Sequence, residues 1–138
     1  MRKRTLSREI ALQLLYEFEV AGLLQNERIT TYSHDRKAPQ DTKEYTQRLI
    51  EGVRQNINEI DSYIEEFAEN WHISRMPLVD KTILRMGAWE LVFCGDVPPK
   101  VAINEAVDLA KRFGGADSGS FVNAILDKIF IKFCKKEK

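Results

Sequence analysis

VAINEAVDLAKRFGGADSGSFVNAILDKI, residues 101–129, decides how this chain folds. Apolar residues recur every three to four positions on both sides of Gly114-Gly115, which predicts two amphipathic helices. The glycine pair predicts a left-handed backbone that ends the first helix, and Asp117 or Ser118 can cap the second. The stretch therefore predicts a helical hairpin with a small polar corner. Its apolar positions are Ala102, Ala106, Leu109 and Phe113, with Ile103, Val107 and Ala110 beside them, then Phe121, Val122, Ile125, Leu126, Ile129 and Phe130.

The rest of the chain also has helical periodicity, and no alternation of strand length occurs. A first helix, with Ser7 as its cap, should stop at Gly22, and residues 23–40 should form a loop. Between Leu78 and Phe93 apolar residues occur on nearly every side, which predicts a central helix, and Gly87 within it predicts a close helix crossing. The fold class is therefore all-α, with about seven helices.

Composition places the chain among soluble, cytoplasmic proteins. Its 138 residues suit a single domain, residues 1–138, whose core needs neither disulfide nor metal. The 21 basic and 21 acidic residues balance, which leaves room only for a local basic patch. Cys94 and Cys134 fit two small buried side chains in a reducing cytoplasm. Neither a signal peptide nor an apolar run of roughly 20 residues occurs, so no membrane contact is expected.

Catalytic and cofactor patterns are not found in the sequence. His34 and His72 have no cysteine or histidine at metal-ligand spacing, and Gly114-Gly115 follows a helix rather than a strand. The sequence therefore predicts a protein that is not an enzyme and holds no metal or cofactor.

Residues 1–8 form a basic segment that contains Arg2, Lys3, Arg4 and Arg8 and no acid. Such a cluster can bind RNA phosphates, although a solvated terminus has the same composition. Tyr16, two turns beyond Arg8, can stack on an unpaired base or lie half-buried with its hydroxyl in water.

Two polar regions allow more than one interpretation. The acidic helix between residues 58 and 70 is a solvated face, a surface that keeps RNA away, or a site for a basic partner. In the polar corner, Asp117, Ser118 and Asn123 either cap the helix or hydrogen-bond base edges. The tail, residues 135–138, should be frayed.

The order of Ala-Ile-Asn-Glu-Ala, Ala-Lys-Arg-Phe-Gly, Asp-Ser-Gly and Phe-Val-Asn in residues 102–123 resembles the NusB family of bacterial transcription antitermination factors. The central helix, with Val79-Asp80-Lys81 and Trp89-Glu90-Leu91, is also similar, and the similarity weakens towards the N-terminus. The resemblance implies a compact domain of two packed helical bundles. It also implies binding of single-stranded boxA RNA in nascent ribosomal RNA transcripts, together with the ribosomal protein NusE, in the RNA polymerase antitermination complex.

The resemblance also assigns roles to particular residues. Asp80 is implied as a NusE contact; an ion pair along its own helix with Lys81 or Arg85 is the structural alternative. The residues implied in RNA binding are Arg2, Lys3, Arg4, Arg8, Tyr16, Asp117, Ser118, Phe121 and Asn123.

Three positions depart from the family pattern. Thr5-Leu6-Ser7 interrupts the arginine run, and Ser120 replaces a lysine that commonly precedes Phe-Val-Asn. Both changes remove positive charge, so RNA affinity without NusE should be weak. Ala124 replaces a common glycine and concerns helix packing alone.

Two other functions fit the same sequence. One is a helical adaptor that binds a ribosomal protein but no RNA. The other is a detached NusB-like module of an rRNA cytosine methyltransferase. The oligomeric state stays open, because Phe130, Ile131 and Phe133 suit either a core or a homodimer interface.

Overall fold

The computed structural model describes residues 2–22, 32, 36–68 and 72–134, and every regular element among them is helical. The predicted all-α fold is confirmed, with six α-helices in the described residues instead of about seven. A 3₁₀ turn, Ile73–Arg75, precedes α4, and a π-helical turn, Glu90–Cys94, continues it. The helices are α1 (Arg2–Ala21), α2 (Gln40–Gln55), α3 (Ile57–Phe67), α4 (Leu78–Trp89), α5 (Pro99–Phe113) and α6 (Ser118–Phe133).

The chain divides into two compact units, Met1–Glu51 and Gly52–Lys138. The single domain expected from the chain length stays a prediction. Most of the predicted loop, residues 23–31 and 33–35, lies outside the described residues, as does the predicted tail, residues 135–138. At the end of that predicted loop, Gln40 already belongs to α2.

In the first unit, α1 packs against the start of α2. The helix begins at Arg2, so Ser7 lies inside it and the predicted cap at Ser7 is wrong. Ser7 is fully buried, and its hydroxyl donates a 2.9 Å hydrogen bond to the carbonyl oxygen of Thr42. A buried hydroxyl needs a hydrogen-bond partner. Here the partner belongs to α2, so the bond joins α1 to α2. As predicted, α1 stops before Gly22, whose φ of 75° is left-handed.

The second unit is built around α4, as the apolar pattern between Leu78 and Phe93 predicts. Eight of the 12 residues of α4 are buried. The close crossing predicted at Gly87 is confirmed, since a Cβ there would lie 2.6 Å from Cδ1 of Leu126. Gly52 makes a tighter approach, with an added Cβ only 2.1 Å from Nε1 of Trp89. The reason for glycine is space rather than backbone conformation at both crossings, and it is stronger at Gly52, which meets an indole ring, than at Gly87, which meets the end of a flexible leucine side chain.

The corner between α5 and α6 differs from its prediction in two ways. Gly114 has an extended backbone, with φ −98° and ψ −165°, rather than the predicted left-handed one. Its need for glycine is steric, because a Cβ would lie 2.5 Å from Oγ of Ser118 and 2.8 Å from the carbonyl oxygen of Ala110. Phe113, predicted on the buried face, is 49% exposed, and the Arg112 guanidinium lies 4.9 Å from its ring centroid.

The acidic helix α3 is tied to its neighbours through its carboxylates. Arg85 donates two 2.9 Å hydrogen bonds to Asp61, and Lys132 pairs with Glu66. Glu65 accepts a 2.8 Å bond from the backbone of Ile73. These contacts give several acids of the face a structural role, which none of the three interpretations included, and the interpretations themselves stay predictions.

The end of α6 packs on α3 through aromatic rings. The ring centroids of Tyr63 and Phe133 lie 4.2 Å apart, whereas Ile131 is 52% exposed. Cys94 and Cys134 are half-buried rather than buried as predicted. Within the described ranges, no helix is long and apolar enough to cross a bilayer.

Candidate nucleic-acid interface

Three arginines surround the ring of Tyr45 in the first unit. The guanidinium carbon of Arg4 lies 4.1 Å from the ring centroid, that of Arg8 5.9 Å and that of Arg48 5.8 Å. Arg4 and Arg8 lie one turn apart on α1, while Tyr45 and Arg48 lie three residues apart on α2, so each pair shares a helix face. A negative ring face attracts such cations. We call Arg4, Arg8, Arg48 and Tyr45 the arginine cluster.

The members of the arginine cluster differ in exposure. Tyr45 and Arg8 are buried, at 5% and 3% exposed, whereas Arg4 is half-buried and Arg48 is exposed. Arg8 was expected to contact phosphate. Because its side chain is buried, its charge is suited to raise the positive potential of the surface rather than to touch a phosphate. Arg2 and Lys3 belong to the first turn of α1, and their side chains lie outside the described residues.

Tyr16 lies on an exposed face of the same helix. Its side chain is 39% exposed, and Val20, one turn further on, is 67% exposed. A partly exposed aromatic ring can stack on an unpaired base.

The polar corner between α5 and α6 presents two of its predicted residues and buries a third. Asp117 and Asn123 are exposed, whereas Ser118 is 5% exposed. Asp117 occupies the N-cap position of α6 but makes no side-chain capping bond, so the predicted capping by its carboxylate is wrong. Phe121 is half-buried. Base edges could be read from this corner only by the exposed side chains.

The hydroxyl of Ser118 is held from two sides. It accepts a 2.9 Å hydrogen bond from the backbone N–H of Gly115 and donates a 2.7 Å bond to Oδ1 of Asp80. Asp80 is itself only 6% exposed. The described partner of Asp80 is therefore on α6, and an ion pair along its own helix stays a prediction. Both residues are placed to fasten the corner to α4.

Tyr45 and Arg48 were missed in the sequence as members of a candidate site. Their spacing of three residues was a usable signal, because it places an aromatic ring and a cation on one helix face. Their proximity to Arg4 carried no such signal, since it depends on how α1 docks on α2. The bond between Ser118 and Asp80 joins residues 38 positions apart and had no signal either.

Fold and side chains together define a class: a small all-α protein with clustered guanidinium groups suited to a polyanion. The NusB family model matches residues 5–130, which are most of the chain. The transcription antitermination protein NusB of Syntrophus aciditrophicus is 48% identical over 136 residues, covering 99% of this chain and 84% of the relative. That of Desulfatibacillum aliphaticivorans is 41% identical over 138 residues, covering 100% and 96%. The chain belongs to the NusB family.

Solved structures agree with this assignment. The structure of NusB from T. maritima matches with a TM-score of 0.88 at 35% identity, covering 97% of this chain and 94% of the other. A crystal structure of antitermination factors NusB and NusE in complex with dsRNA matches with a TM-score of 0.86 at 30% identity, covering 95% and 98%. The resemblance seen in residues 102–123 is thus confirmed. Family membership also confirms that the chain is not an enzyme, since the relatives are antitermination proteins.

Proposed function

We propose that this protein is a cytoplasmic transcription antitermination factor that binds boxA RNA of nascent ribosomal RNA transcripts together with NusE. The observation that carries the proposal is the similarity to the structure of NusB and NusE with dsRNA, with a TM-score of 0.86 across 95% of the chain. In this role the complex of protein, NusE and RNA joins RNA polymerase and supports transcription of ribosomal RNA operons.

The first unit supplies the phosphate contacts of the proposal. Arg2, Lys3 and Arg4 bind the RNA backbone, and buried Arg8 adds positive potential from beneath. Tyr16 stacks on an unpaired base, because its ring is 39% exposed. Phosphate contacts give affinity and salt dependence, whereas base contacts give sequence preference.

The second unit supplies base contacts through the polar corner. Asp117 and Asn123 are exposed and offer a carboxylate and an amide to base edges. Ser118 and Asp80, both buried, hold the corner, and half-buried Phe121 lies one turn into α6. For Asp80 we propose support of the NusE-binding surface rather than direct contact, because its carboxylate is bonded to Ser118.

Fluorescence polarisation with labelled boxA RNA, with and without NusE, tests the proposal. Wild type with NusE should bind boxA RNA more tightly than a scrambled RNA of equal length. The double variant Arg4→Ala/Arg8→Ala should bind both RNAs more weakly, and its salt slope should flatten by about 0.7 for each phosphate that the variant no longer binds. Arg8→Lys, which keeps the charge, and thermal unfolding of each variant separate weaker phosphate binding from impaired folding.

The same assay separates the other functions. An adaptor without RNA binding would bind NusE but leave the polarisation of boxA RNA unchanged in both mixtures. A detached methyltransferase module would bind neither, and its neighbouring reading frame would encode the catalytic domain. Equal binding of boxA and scrambled RNA would contradict the boxA assignment.

The oligomeric state belongs to the same proposal. Ile131, at 52% exposed, is an apolar candidate for a homodimer contact. Sedimentation velocity at two concentrations measures it, and Ile131→Glu should abolish any dimer that uses this face.

A further inference from the structure

We infer that α2 contributes to the RNA site, with Arg48 as an additional phosphate-binding residue and Tyr45 as the residue that positions the guanidinium groups. The inference rests on the proposed RNA-binding function and deepens it. It adds a second helix to a surface that the N-terminal segment alone was expected to provide.

The interruption of the arginine run explains why a second helix is needed. Thr5 and Leu6 are half-buried and Ser7 is fully buried, with its hydroxyl bonded to Thr42 of α2. Ser7 therefore holds α1 on α2, and none of the three positions presents charge. The same docking brings Arg48 to within 5.8 Å of the ring that Arg4 covers at 4.1 Å.

Tyr45 fixes where these charges lie. Its ring is 5% exposed and therefore held by its surroundings, and three guanidinium groups lie within 5.9 Å of its centroid. Attraction between each cation and the ring limits the rotamers of long, flexible side chains. A phosphate that meets guanidinium groups already held in place loses less entropy on binding than one that must order them.

Concentrated positive charge also favours an anionic ligand. Three guanidinium groups around one ring repel one another, and ring attraction is one of the contacts that offset this repulsion. A bound phosphate offsets more of it through charge-assisted hydrogen bonds, for which the arginine fork is well shaped. Because phosphate contacts do not depend on the base, Arg48 should raise affinity for every RNA sequence equally.

The test compares Arg48→Gln with Arg54→Gln in the presence of NusE, with boxA RNA and scrambled RNA as probes. Arg54 is a matched control, because it is an exposed arginine on the same helix, six positions further on and about 240° around it. Arg48→Gln should weaken binding of both RNAs by about tenfold at low salt and reduce the salt slope by about 0.7. Arg54→Gln should leave the salt slope unchanged.

Tyr45 is tested by a conservative pair. Tyr45→Leu should reduce RNA affinity and the salt slope together, and Tyr45→Phe, which keeps the ring, should restore both. Circular dichroism checks that each variant is folded. If Tyr45→Leu does not fold, the two arginine variants and Tyr45→Phe still test whether α2 is part of the RNA site.

The outcomes distinguish this inference from the proposed function. If wild type binds boxA RNA and Arg48→Gln binds with an unchanged slope, α2 is not part of the site, while the proposed function stands. Equal losses in Arg48→Gln and Arg54→Gln would also overturn the inference, because net charge alone would explain both. If wild type with NusE binds no RNA, the proposed function fails and the inference fails with it.

Discussion

Ser118 illustrates how one hydroxyl can fasten a surface corner to a core. Its Oγ bonds to the backbone of Gly115 and to the carboxylate of Asp80, and both it and Asp80 are more than nine-tenths buried. A residue type that reads in sequence as a cap or an RNA contact is therefore used internally. The exposed neighbours, Asp117 and Asn123, stay available.

Replacing Ser118 by alanine should destabilise the protein by about 1–3 kcal/mol. The change leaves the buried Asp80 carboxylate and the Gly115 N–H without this partner, and unpaired buried polar groups are costly. Ser120→Ala, two positions along in the same helix and exposed, is the matched control and should change the free energy of unfolding by less than about 0.5 kcal/mol. Urea denaturation measures both, and equal effects would contradict the internal role of Ser118.

Tyr63 provides a pH-dependent prediction. The hydrogen bond to Glu59, then burial and the nearby carboxylate charge, raise the pKa of Tyr63 to about 12 from 10.0. Because the folded pKa is the higher one, the stabilisation is complete below about pH 10 and is lost as the pH rises towards about 12. Tyrosinate absorbance of wild type minus Tyr63→Phe should report this late titration.

Glu59→Gln is the control for the Tyr63 titration. The amide keeps a hydrogen-bond acceptor but removes the negative charge that opposes ionisation, so the pKa of Tyr63 should fall towards 10.0. A Tyr63 titration that stays unchanged in Glu59→Gln would assign the shift to the retained hydrogen bond and to burial rather than to the carboxylate charge.

At the scale of elements, helix crossings are set by glycines. Gly52 faces the indole of Trp89, and Gly87 faces Leu126. The close crossing at Gly87 could be predicted, because a glycine inside an apolar helical pattern needs a packing reason. The crossing at Gly52 could not, since nothing near Gly52 in sequence points to a tryptophan 37 positions away.

Gly52→Ala should destabilise the protein by about 3 kcal/mol, the upper end for overpacking. An added Cβ would lie 2.1 Å from Nε1 and 2.2 Å from Cε2 of a ring that is only 5% exposed. Gln55→Ala, at an exposed position of the same helix, should be close to neutral. Differential scanning calorimetry measures each change.

Trp89→Phe tests whether the clash is the cause. Trp89→Phe creates space and should destabilise the protein when made alone. The same space should relieve the clash caused by Gly52→Ala. The double variant should therefore lose less free energy of unfolding than the two single variants together, by more than about 1 kcal/mol. Additive effects would show that the clash with Trp89 is not the cause of the destabilisation by Gly52→Ala.

Other features of the elements show where sequence patterns reach their limit. Helical periodicity located the central helix and the end of α1 at Gly22, because local geometry determines both. It misplaced Phe113 on the buried face and assigned a left-handed backbone to Gly114, because neither the exposure of a side chain at a helix end nor the approach of Ser118 to Gly114 is set by local spacing. Ser7 was likewise taken for a cap, although its hydroxyl is used across two helices.

At the scale of the molecule, zero net charge coexists with a local concentration of arginine. The 21 acidic residues balance the 21 basic ones, but Asp61, Glu65 and Glu66 are engaged with adjacent elements of the second unit. Composition could therefore only allow a basic patch, whereas the order of residues 1–8 predicted where one lies and the folded chain added Tyr45 and Arg48 to it. Family membership, by contrast, was readable from the sequence alone, because the motifs of residues 102–123 are contiguous.

NusE should stabilise the whole molecule by mass action. With free NusE at about 100 times its dissociation constant, the free energy of unfolding should rise by about 2.7 kcal/mol. Thermal unfolding at increasing NusE concentration measures the shift, and a ribosomal protein of similar charge serves as the control. An unfolding temperature that does not depend on NusE would argue against the partnership.

The packing of Trp89 on Gly52 also gives the protein an optical reporter. An indole held at 5% exposure emits at shorter wavelength than one in water, and it moves to longer wavelength when the helix crossing opens. Replacing Trp71, the second tryptophan of the chain, by phenylalanine would leave Trp89 as the single emitter. Stopped-flow measurements with that variant could then time the separation of the two helices directly, without an attached dye.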